Sequence, residues 1–370
     1  MDLVLTEDQE FIQKTAADFV LERSPVSRVR ELRDRGDATG FSRELWKEMA
    51  DLGWAGIPYA EDVGGAGMGF AELVLVLEEL GRSLAPEPFL STVLLAGQAL
   101  ALSPNEALAK EWLPRICNGE AIGTLAYQEA RSRYDLGAIE TTAAVDGDGF
   151  TLTGEKVQVL DGHVADALIV SALRDGAVAL FLVPADAPGL TVTRQSRVDS
   201  RNAAIVVLDG VRVGPEAVVG DAALLAASVD RATVGLCAEM LGGMQQAFDL
   251  ALDYLKTREQ FGVRIGTFQT LKHRAADVFI EIELCKSAVM AAARAIDAGS
   301  DDLAKLVSVA KAKCADAYVL ATNEGVQFFG GVGMTDEYDI GLYMKRARAA
   351  EFTFGDAAFH RDRWATLAGY

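Results

Sequence analysis

The order of hydrophobic patterns along the chain most constrains its fold: a helical segment, a β-rich segment and a second helical segment follow one another. Between residues 123 and 219, short runs of β-forming residues are separated by turn residues, which is typical of a small barrel or sandwich. Helical periodicity covers the chain before this block and resumes at about Ala222. The sequence therefore predicts an α+β chain with an N-terminal α-helical domain at 1–120, a central β domain at 121–220 and a C-terminal four-helix bundle at 221–370.

Periodicity and turn residues place the individual elements of this α–β–α order. Apolar residues at helical spacing predict helices over Asp8–Val20, Phe41–Leu52 and Phe70–Leu84, and longer ones over about 222–258, 268–298, 301–329 and 336–350. Runs of β-forming residues predict strands at Phe150–Leu152, Val157–Leu160, Ala167–Ser171, Val178–Val183, Leu190–Thr193 and Ala204–Leu208. Pro86 and Pro88 are expected to end the third helix.

Composition excludes several classes of function. The 370 residues, 50% hydrophobic, can form two or three packed units, and a net charge of −19 argues against broad nucleic-acid binding. No apolar run is long enough to span a bilayer, and the N-terminus MDLVLTEDQEF lacks the basic region of a secretory signal. The four cysteines show no zinc spacing and no disulfide framework, so we expect buried thiols in a reducing cytoplasm and no membrane partner.

Two short motifs in the C-terminal helical segment combine a cation, amides and glycines. Arg258–Gly262 reads REQFG, and Gln327–Gly333 reads QFFGGVG. Taken alone, the arginine is equally typical of a surface helix end, and the glycine pair is equally typical of a helix C-cap and turn. The two motifs gain specificity only within a wider, ordered set.

Motifs along nearly the whole chain resemble, in the same order, those of the acyl-CoA dehydrogenase family. The N-terminal domain of that family is resembled by Leu52–Gly69 and by Leu77–Pro88 (LEELGRSLAPEP). Its β-domain hairpin is resembled by Gly154-Glu155-Lys156 with Gly162 and Ala165-Asp166. Its C-terminal domain is resembled by Arg258–Gly262, Ile265–Lys272 (IGTFQTLK) and Gln327–Thr335.

The resemblance implies a fold, a cofactor and a reaction. It implies an α-domain, a β-domain and a four-helix C-terminal domain, assembled as a tetramer. It also implies α,β-dehydrogenation of an acyl-CoA thioester, with FAD as cofactor and an electron-transfer flavoprotein or similar protein as acceptor. The FAD would be held by Arg258, Phe261, Gln269, Gln327, Gly330 and Gly331.

The chemistry of these residues fits a flavin dinucleotide. Arg258 is a permanently charged fork suited to a pyrophosphate, and Phe261 offers an apolar face. Glycines allow the backbone to approach a ligand closely, and the amides can serve adenine, ribitol or phosphate oxygens. In the family, the matching arginine, phenylalanine and glutamines reach the FAD of a neighbouring subunit, so the chain is not expected to be a monomer.

The chain departs from the family pattern at three places around the reaction centre. Aligning the family's C-terminal YEGT motif on Gly355 places Phe354 where the catalytic glutamate usually lies. The loop that touches the flavin ring reads YQEARSRYD at Tyr127–Asp135, so Glu129 remains but a Gly-Ser pair is lost. The flavin-wall segment becomes Gln158-Val159-Leu160. Contacts to the isoalloxazine ring within this subunit are therefore in question.

A dehydrogenase that lacks the usual base needs another carboxylate of raised basicity. Glu239 is the first candidate because it is the only charge in the apolar helical stretch Ala232–Met244. The alternative is a buried structural carboxylate that pairs with a neighbouring helix or arginine. Asp230 is the second candidate, although its position is more typical of a helix N-terminal cap or a partner of the helix dipole, and Asp356 is the third.

Several functional hypotheses stay open at the level of sequence. The chain can be a complete catalytic subunit that uses Glu239, or half of a hetero-oligomer like family members acting on bulky steroid side-chain thioesters. A flavin-dependent monooxygenase of the same fold and a non-catalytic partner subunit are the alternatives. The histidines, His163, His273 and His360, are expected to be solvated or packing residues, and no metal-ligand spacing is present.

Overall fold

The computed structural model describes residues 4–370, so the first three residues of the N-terminal segment considered above lie outside the described part. The N-terminal helices are α1 (Glu7–Arg23), α2 (Ser27–Asp34), α3 (Arg43–Asp51), α4 (Phe70–Arg82), a π-helix (Phe89–Ala96), α5 (Gly97–Ala101) and α6 (Glu106–Cys117). Thr6 and Gln9 form a capping box that begins α1, and Ser42 caps α3. The prediction located α1, α3 and α4 but missed the other four helices.

The central segment forms one mixed eight-stranded sheet. Its strands are β1 (Gly123–Ala126), β2 (Thr142–Asp146), β3 (Gly149–Leu160), β4 (Ala167–Arg174), β5 (Ala177–Pro184), β6 (Leu190–Gln195), β7 (Ala203–Val213) and β8 (Val218–Asp221). The order is β6-β7-β3-β2-β4-β5-β8, and β1 pairs with β4 in parallel. A core of apolar side chains from β3, β4, β5 and β7 lies against this sheet, including Leu152, Val170, Phe181 and Val206.

The two strands predicted around residues 150–160 are one continuous strand, β3. Its register against β7 shifts between Leu152 and Gly154 and again between Lys156 and Val159. Gly154 has a φ of 156° and Gln158 a φ of 54°, so the backbone leaves ordinary strand geometry at both places. These bulges interrupt the alternation of buried and exposed residues, which is why the sequence pattern divided the strand.

The C-terminal helices are α7 (Ala222–Thr257), α8 (Gln269–Asp297), α9 (Leu303–Phe329), α10 (Ile340–Phe352) and α11 (Ala357–Leu367). A short hairpin of β9 (Glu259–Gln260) and β10 (Val263–Arg264) joins α7 to α8. The prediction placed α7, α8 and α9 within two residues at each end, and α11 is an additional helix. Asp230 lies inside α7, and Asp221 accepts hydrogen bonds from Ala223 N and Leu224 N at the start of that helix. The expectation that Asp230 caps a helix is therefore wrong.

The chain divides into two compact units. Unit 1 contains the chain up to Glu31, Gly69–Ala85 and Thr233–Tyr370, and unit 2 contains Leu32–Met68 and Pro86–Ala232. Within unit 1, Asp297 at the end of α8 accepts hydrogen bonds from Phe70 N at 2.6 Å and Ala71 N at 3.0 Å, which satisfies the N-terminus of α4. The predicted three-domain division stays a prediction.

The four cysteines are free thiols and all are buried, as expected from their apolar and helical contexts. Over residues 4–370, no helix is both long and apolar enough to cross a bilayer.

Candidate functional site

Aromatic stacking in unit 1 brings the ends of α7 and α9 together. Tyr254 stacks on Phe329 with ring centroids 4.3 Å apart, and Tyr338 packs edge-on against Tyr254 and tilted against Phe329. Arg258 lies one helical turn beyond Tyr254, and Gln327 lies two residues before Phe329. The two motifs singled out in the sequence therefore meet at one end of the helical bundle.

Helix α8 begins at the same end. Arg274 donates to both carboxylate oxygens of Glu324, at 2.5 and 2.8 Å, and Lys313 pairs with Glu281 further along, so α8 and α9 run antiparallel. Because Gln269 is the first residue of α8, it lies at the end where α9 finishes.

The polar side chains at this end are available for a ligand. Arg258, Gln269 and Gln327 are exposed, and within the described chain their side chains make no hydrogen bond or ion pair. Gly330 has a φ of 67°, and a methyl group added at Gly331 would meet no atom within 4 Å. The space beside Gly331 is therefore open within the described part of the chain, which leaves room for the backbone to approach a ligand closely.

This arrangement fits the phosphate-bearing part of a dinucleotide. A free guanidinium supplies charge and paired donors, and free amides supply further donors and acceptors. Phe261, which is 91% exposed at a φ of 56°, is an unusual placement for a bulky aromatic side chain in solution. The residues predicted to hold FAD are thus brought together, although their roles stay predictions.

Exposed apolar side chains lie at the start of α8, beside Gln269, and further along that helix. Phe268 is 38% exposed, Phe279 52%, Ile280 54% and Leu284 49%. Several exposed apolar side chains on one helix favour an interaction face there.

Glu239 lies in unit 1 where α4 and α7 cross in backbone contact. A methyl group at Gly81 would collide with the carbonyl oxygen of Glu239, and one at Gly242 would collide with that of Glu78. The half-buried Glu239 side chain lines a cavity of about 10 Å³ together with Tyr318 and Arg346. A space of that size holds about one water molecule and no acyl chain. Its role as the base stays a prediction, and the nearby arginine supports the structural alternative.

The loop that carries Phe354 is held from two sides. Phe354 has a φ of 60° and Gly355 a φ of 116°. The fully buried Lys311 donates to Gly355 O at 2.6 Å and to Glu351 O at 3.0 Å. His360 Nε2 lies 3.0 Å from Phe354 O, so it must carry the proton there, and burial together with Lys311 lowers the pKa of His360 to about 3.

The remaining carboxylate candidate and the histidines take structural positions. Asp356 accepts from Phe359 N at 2.8 Å and caps α11. His163 lies 3.2 Å from Ala38 O, His273 is exposed on α8, and His360 is buried. No group of His, Cys, Asp and Glu in residues 4–370 could hold a metal ion.

Sequence reasoning missed a buried ion pair in unit 2. Glu129 accepts hydrogen bonds from Lys156 Nζ at 2.6 Å, Thr141 Oγ1 at 2.7 Å, Glu140 N at 2.7 Å and Thr141 N at 3.0 Å. Lys156 also donates to Ser171 Oγ at 3.0 Å. One carboxylate thus closes the loop between β1 and β2 by joining its two ends.

The charge state of this pair follows from its surroundings. Burial alone would raise the pKa of Glu129, but the hydrogen bonds from Lys156 and Thr141 hold that pKa below its usual value. Burial lowers the pKa of Lys156 to about 8, against the opposing effect of Glu129. The sequence signal that could have revealed this ion pair was the GEK motif, because it places Lys156 in a strand that contributes to an apolar core.

Three family models match the chain in succession. They are the acyl-CoA dehydrogenase N-terminal domain at residues 6–120, the middle domain at 124–211 and the C-terminal domain at 223–367. The chain is similar to the acyl-CoA dehydrogenase FadE12 of Mycobacterium tuberculosis, with 32% identity over 93% of this chain and 92% of the relative.

Two solved structures share both the fold and a clear sequence similarity. The ChsE4-ChsE5 complex from Mycobacterium tuberculosis matches at a TM-score of 0.92 with 30% identity, covering 100% of both chains. A variant of the Tcur3481-Tcur3483 steroid ACAD matches at a TM-score of 0.88 with 32% identity, covering 98% of both chains.

Proposed function

Because the chain belongs to the acyl-CoA dehydrogenase family, we propose that it is one subunit of a hetero-oligomeric enzyme that forms an α,β double bond in an acyl-CoA thioester. The chain is an FAD-dependent oxidoreductase of this family. The proposal adds that its cofactor-binding residues act across an interface and that a second, related chain completes the reaction centre.

The observation that carries this proposal is the open, unpaired polar set at the end of the bundle. Arg258, Gln269 and Gln327 have free hydrogen-bonding capacity at the surface of unit 1, beside exposed apolar side chains on α8. Side chains that bound a ligand held wholly by their own subunit would be expected to lie in a cleft. Exposed placement instead suits residues that reach a cofactor held mainly by a neighbouring subunit.

Each part of the proposed chemistry is assigned to a group. FAD, when bound, supplies the acceptor for the hydride from the β-carbon. Arg258 would bind its pyrophosphate, and the glutamines would bind its polar edges. The proton from the α-carbon needs a carboxylate, and Phe354 cannot accept it where the resemblance places the usual base.

Two sources of that carboxylate lead to different assemblies. Glu239 would serve if the chain is catalytically complete, but the cavity beside it has room for about one water molecule only. A glutamate from a second, related chain would serve in a hetero-oligomer. The ChsE4-ChsE5 complex supports the second source, since it is a complex of two differently named chains. We therefore favour the hetero-oligomer, with a soluble electron-transfer flavoprotein or similar acceptor in the cytoplasm.

The monooxygenase alternative is weaker. Such enzymes use a flavin that is supplied reduced, whereas the Arg258 and Gln327 set suits the longer phosphate-and-adenine tail of a dinucleotide.

Co-expression tests the proposal directly. The chain would be produced alone and together with a second dehydrogenase-like chain encoded beside it, and each preparation would be examined for flavin absorbance and for dye reduction across acyl-CoA lengths. We expect flavin content and activity to require both chains. A yellow, fully flavinylated and active preparation of this chain alone would refute the hetero-oligomer. Activity with neither preparation would count against the dehydrogenase assignment.

A further inference from the structure

An arginine near the start of the chain holds the loop that follows the glycine motif of the candidate site. Arg30, on α2, donates from Nε to Asp339 Oδ1 at 2.8 Å, and its Nη1 lies 3.2 Å from Asp336 Oδ2. All three residues belong to unit 1. The Arg30 side chain is 19% exposed, whereas those of Asp336 and Asp339 are 60% and 34% exposed. The cation is thus the most buried member of the group, and the proposed chemistry gives it no role.

The loop that Arg30 holds, Thr335–Asp339, joins the glycine motif to α10. Its first residue is fixed at the glycine motif, because Thr335 Oγ1 donates to Val332 O at 2.7 Å. The motif itself packs against the end of α9, since a methyl group added at Gly333 would lie 2.8 Å from Phe329 Cβ. One end of the loop is therefore fixed by its own backbone, and the other part is fixed by Arg30.

The loop carries Tyr338 into the aromatic cluster of the candidate site. The centroid of its ring lies 5.0 Å from that of Phe329 and 6.0 Å from that of Tyr254. The two carboxylates that Arg30 contacts flank Tyr338 in the sequence. A guanidinium presents its donors in one rigid plane, so contact with two carboxylates fixes both the position and the orientation of the segment between them.

The aromatic cluster connects this loop to the polar side chains assigned to the cofactor. Tyr254 O accepts a hydrogen bond from Arg258 N at 2.8 Å, so the two residues move together. Phe329 is the last residue of α9 and follows Gln327 by two positions. A displacement of Tyr338 would therefore disturb the ring contacts on which the ends of both helices rest.

Helix α2 gives Arg30 a fixed base. Its neighbour Val29 is buried, and Arg28 Nη1 donates to the buried Ser24 Oγ at 2.6 Å. Arg30 Nη2, in contrast, is buried and has no hydrogen-bond partner in residues 4–370. An unsatisfied buried donor offsets part of what the two ion pairs contribute to stability. The contact is therefore better suited to fixing one arrangement of the loop than to stabilising the fold.

We propose that Arg30 is a positioning residue for the cofactor site. It fixes the loop that carries Tyr338, and through the aromatic cluster it places Arg258 and Gln327. The inference rests on the proposed function, which assigns those two side chains to the phosphate-bearing part of FAD. Arg30 itself contacts the loop and not the cofactor.

The rate at which FAD leaves the loaded assembly tests this role. The chain would be purified with its partner and FAD, then diluted well below its unfolding midpoint, and released flavin would be followed by its fluorescence. Arg30→Met should release FAD about tenfold faster than the wild type, because differences in affinity at one site lie mostly in the dissociation rate. Arg30→Lys, which keeps the charge but not the rigid fork, should recover part of the difference. An arginine with a merely structural role would lower the unfolding midpoint and leave the release rate of the folded assembly unchanged.

The control is Arg35→Met, which removes the same charge from an arginine that is 61% exposed and pairs with Asp37. It should release FAD at the wild-type rate. Circular dichroism and size-exclusion chromatography check that each variant is folded and assembled.

A double-mutant cycle tests the route through the loop. Tyr338→Leu should also speed FAD release, whereas Tyr338→Phe, which keeps the ring, should not. Combining Arg30→Met with Tyr338→Leu should add little to either change alone, since both act on the same contact. Fully additive effects would show that Arg30 does not act through Tyr338 and would overturn the proposal.

Arg258→Gln distinguishes failure of this inference from failure of the proposed site. If Arg258→Gln leaves FAD release unchanged, the proposed cofactor site is wrong and Arg30 has no site to position. If Arg258→Gln speeds release but Arg30→Met does not, only the positioning role is overturned. That role is also overturned if Arg35→Met speeds release as much as Arg30→Met does.

Discussion

Replacing Lys156 by methionine should destabilise unit 2 by about 3 kcal/mol, at the lower end of the range for breaking a buried ion pair. Lys156 is fully buried and lies 2.6 Å from the Glu129 carboxylate, so methionine fills similar space but leaves a buried negative charge. Glu129 keeps three further donors, from Glu140 N, Thr141 N and Thr141 Oγ1, which is why the lower end of the range applies.

Thermal and urea unfolding followed by circular dichroism measure this loss at a fixed protein concentration. For a unit of this size, about 3 kcal/mol corresponds to a midpoint lower by about 10 °C. Because the folded-state pKa of Glu129 is lowered from 4.5 in the wild type, the contribution of the pair is present above that value and is lost as the pH falls through the lower folded-state pKa. The difference between wild type and variant should therefore shrink in acid.

A matched control removes a lysine from an exposed pair. Lys47 and Asp51 are one turn apart on α3 with side chains 48% and 60% exposed, so Lys47→Met should cost at most about 0.5 kcal/mol. Combining Glu129→Gln with Lys156→Met should recover part of the loss, since the uncompensated charge is gone. The reasoning fails if Lys156→Met is as stable as Lys47→Met, or if the double variant is no better than Lys156→Met.

Three further predictions concern Arg258, Glu239 and the loop that carries Phe354. Arg258→Gln should lower the flavin-to-protein absorbance ratio of the purified assembly. The control, Lys256→Gln, changes an exposed lysine that pairs with Asp253 and should leave that ratio unchanged. If both variants have the wild-type ratio, Arg258 does not bind the cofactor. Glu239→Gln should slow dehydrogenation by at least about 100-fold without loss of assembly if Glu239 is the base, and an unchanged rate would leave it a structural carboxylate. The folded protein holds the pKa of His360 at about 3, below its ordinary 6.5, so His360 takes up a proton on unfolding at any pH between these values. The free energy of unfolding of the wild type should therefore fall as the pH drops from 6.5 to about 3. His360→Gln should lack this fall when urea unfolding is measured at successive pH values, and an identical pH dependence would contradict the assignment.

The long helices were predictable because their sequences repeat one pattern over many turns. Helices α7, α8 and α9 each extend over at least 27 residues, so an error at one end changes little. The π-helix Phe89–Ala96 is the opposite case, since all of its residues are buried and it follows Pro86 and Pro88. A short segment that is apolar on every side carries no amphipathic period, and the prolines favour an interruption there.

The sequence showed which chemical groups the candidate site contains, but it did not show which residues pair with one another in the fold. The charge of Arg258 and the glycines at 330 and 331 are local properties of the sequence. The pairing of Glu129 with Lys156 depends instead on the closed loop and on the position of β3 in the sheet. Arg30 contacts Asp339 although 309 positions separate them, and neither lies in a motif of its own. Only the topology brings such residues together.

The loop at Phe354 is held in shape by contacts that do not involve the side chain at position 354. Two neighbouring residues there have positive φ angles, which for the bulky Phe354 requires support from the surrounding structure. Lys311 and His360 supply that support through the backbone oxygens of Gly355 and Phe354, and not through the side chain at position 354. The loop therefore does not depend on a glutamate for its shape, so replacing the glutamate need not cost the fold. A phenylalanine at position 354, where the resemblance places the family's base, is consistent with a reaction whose proton acceptor comes from elsewhere in the assembly.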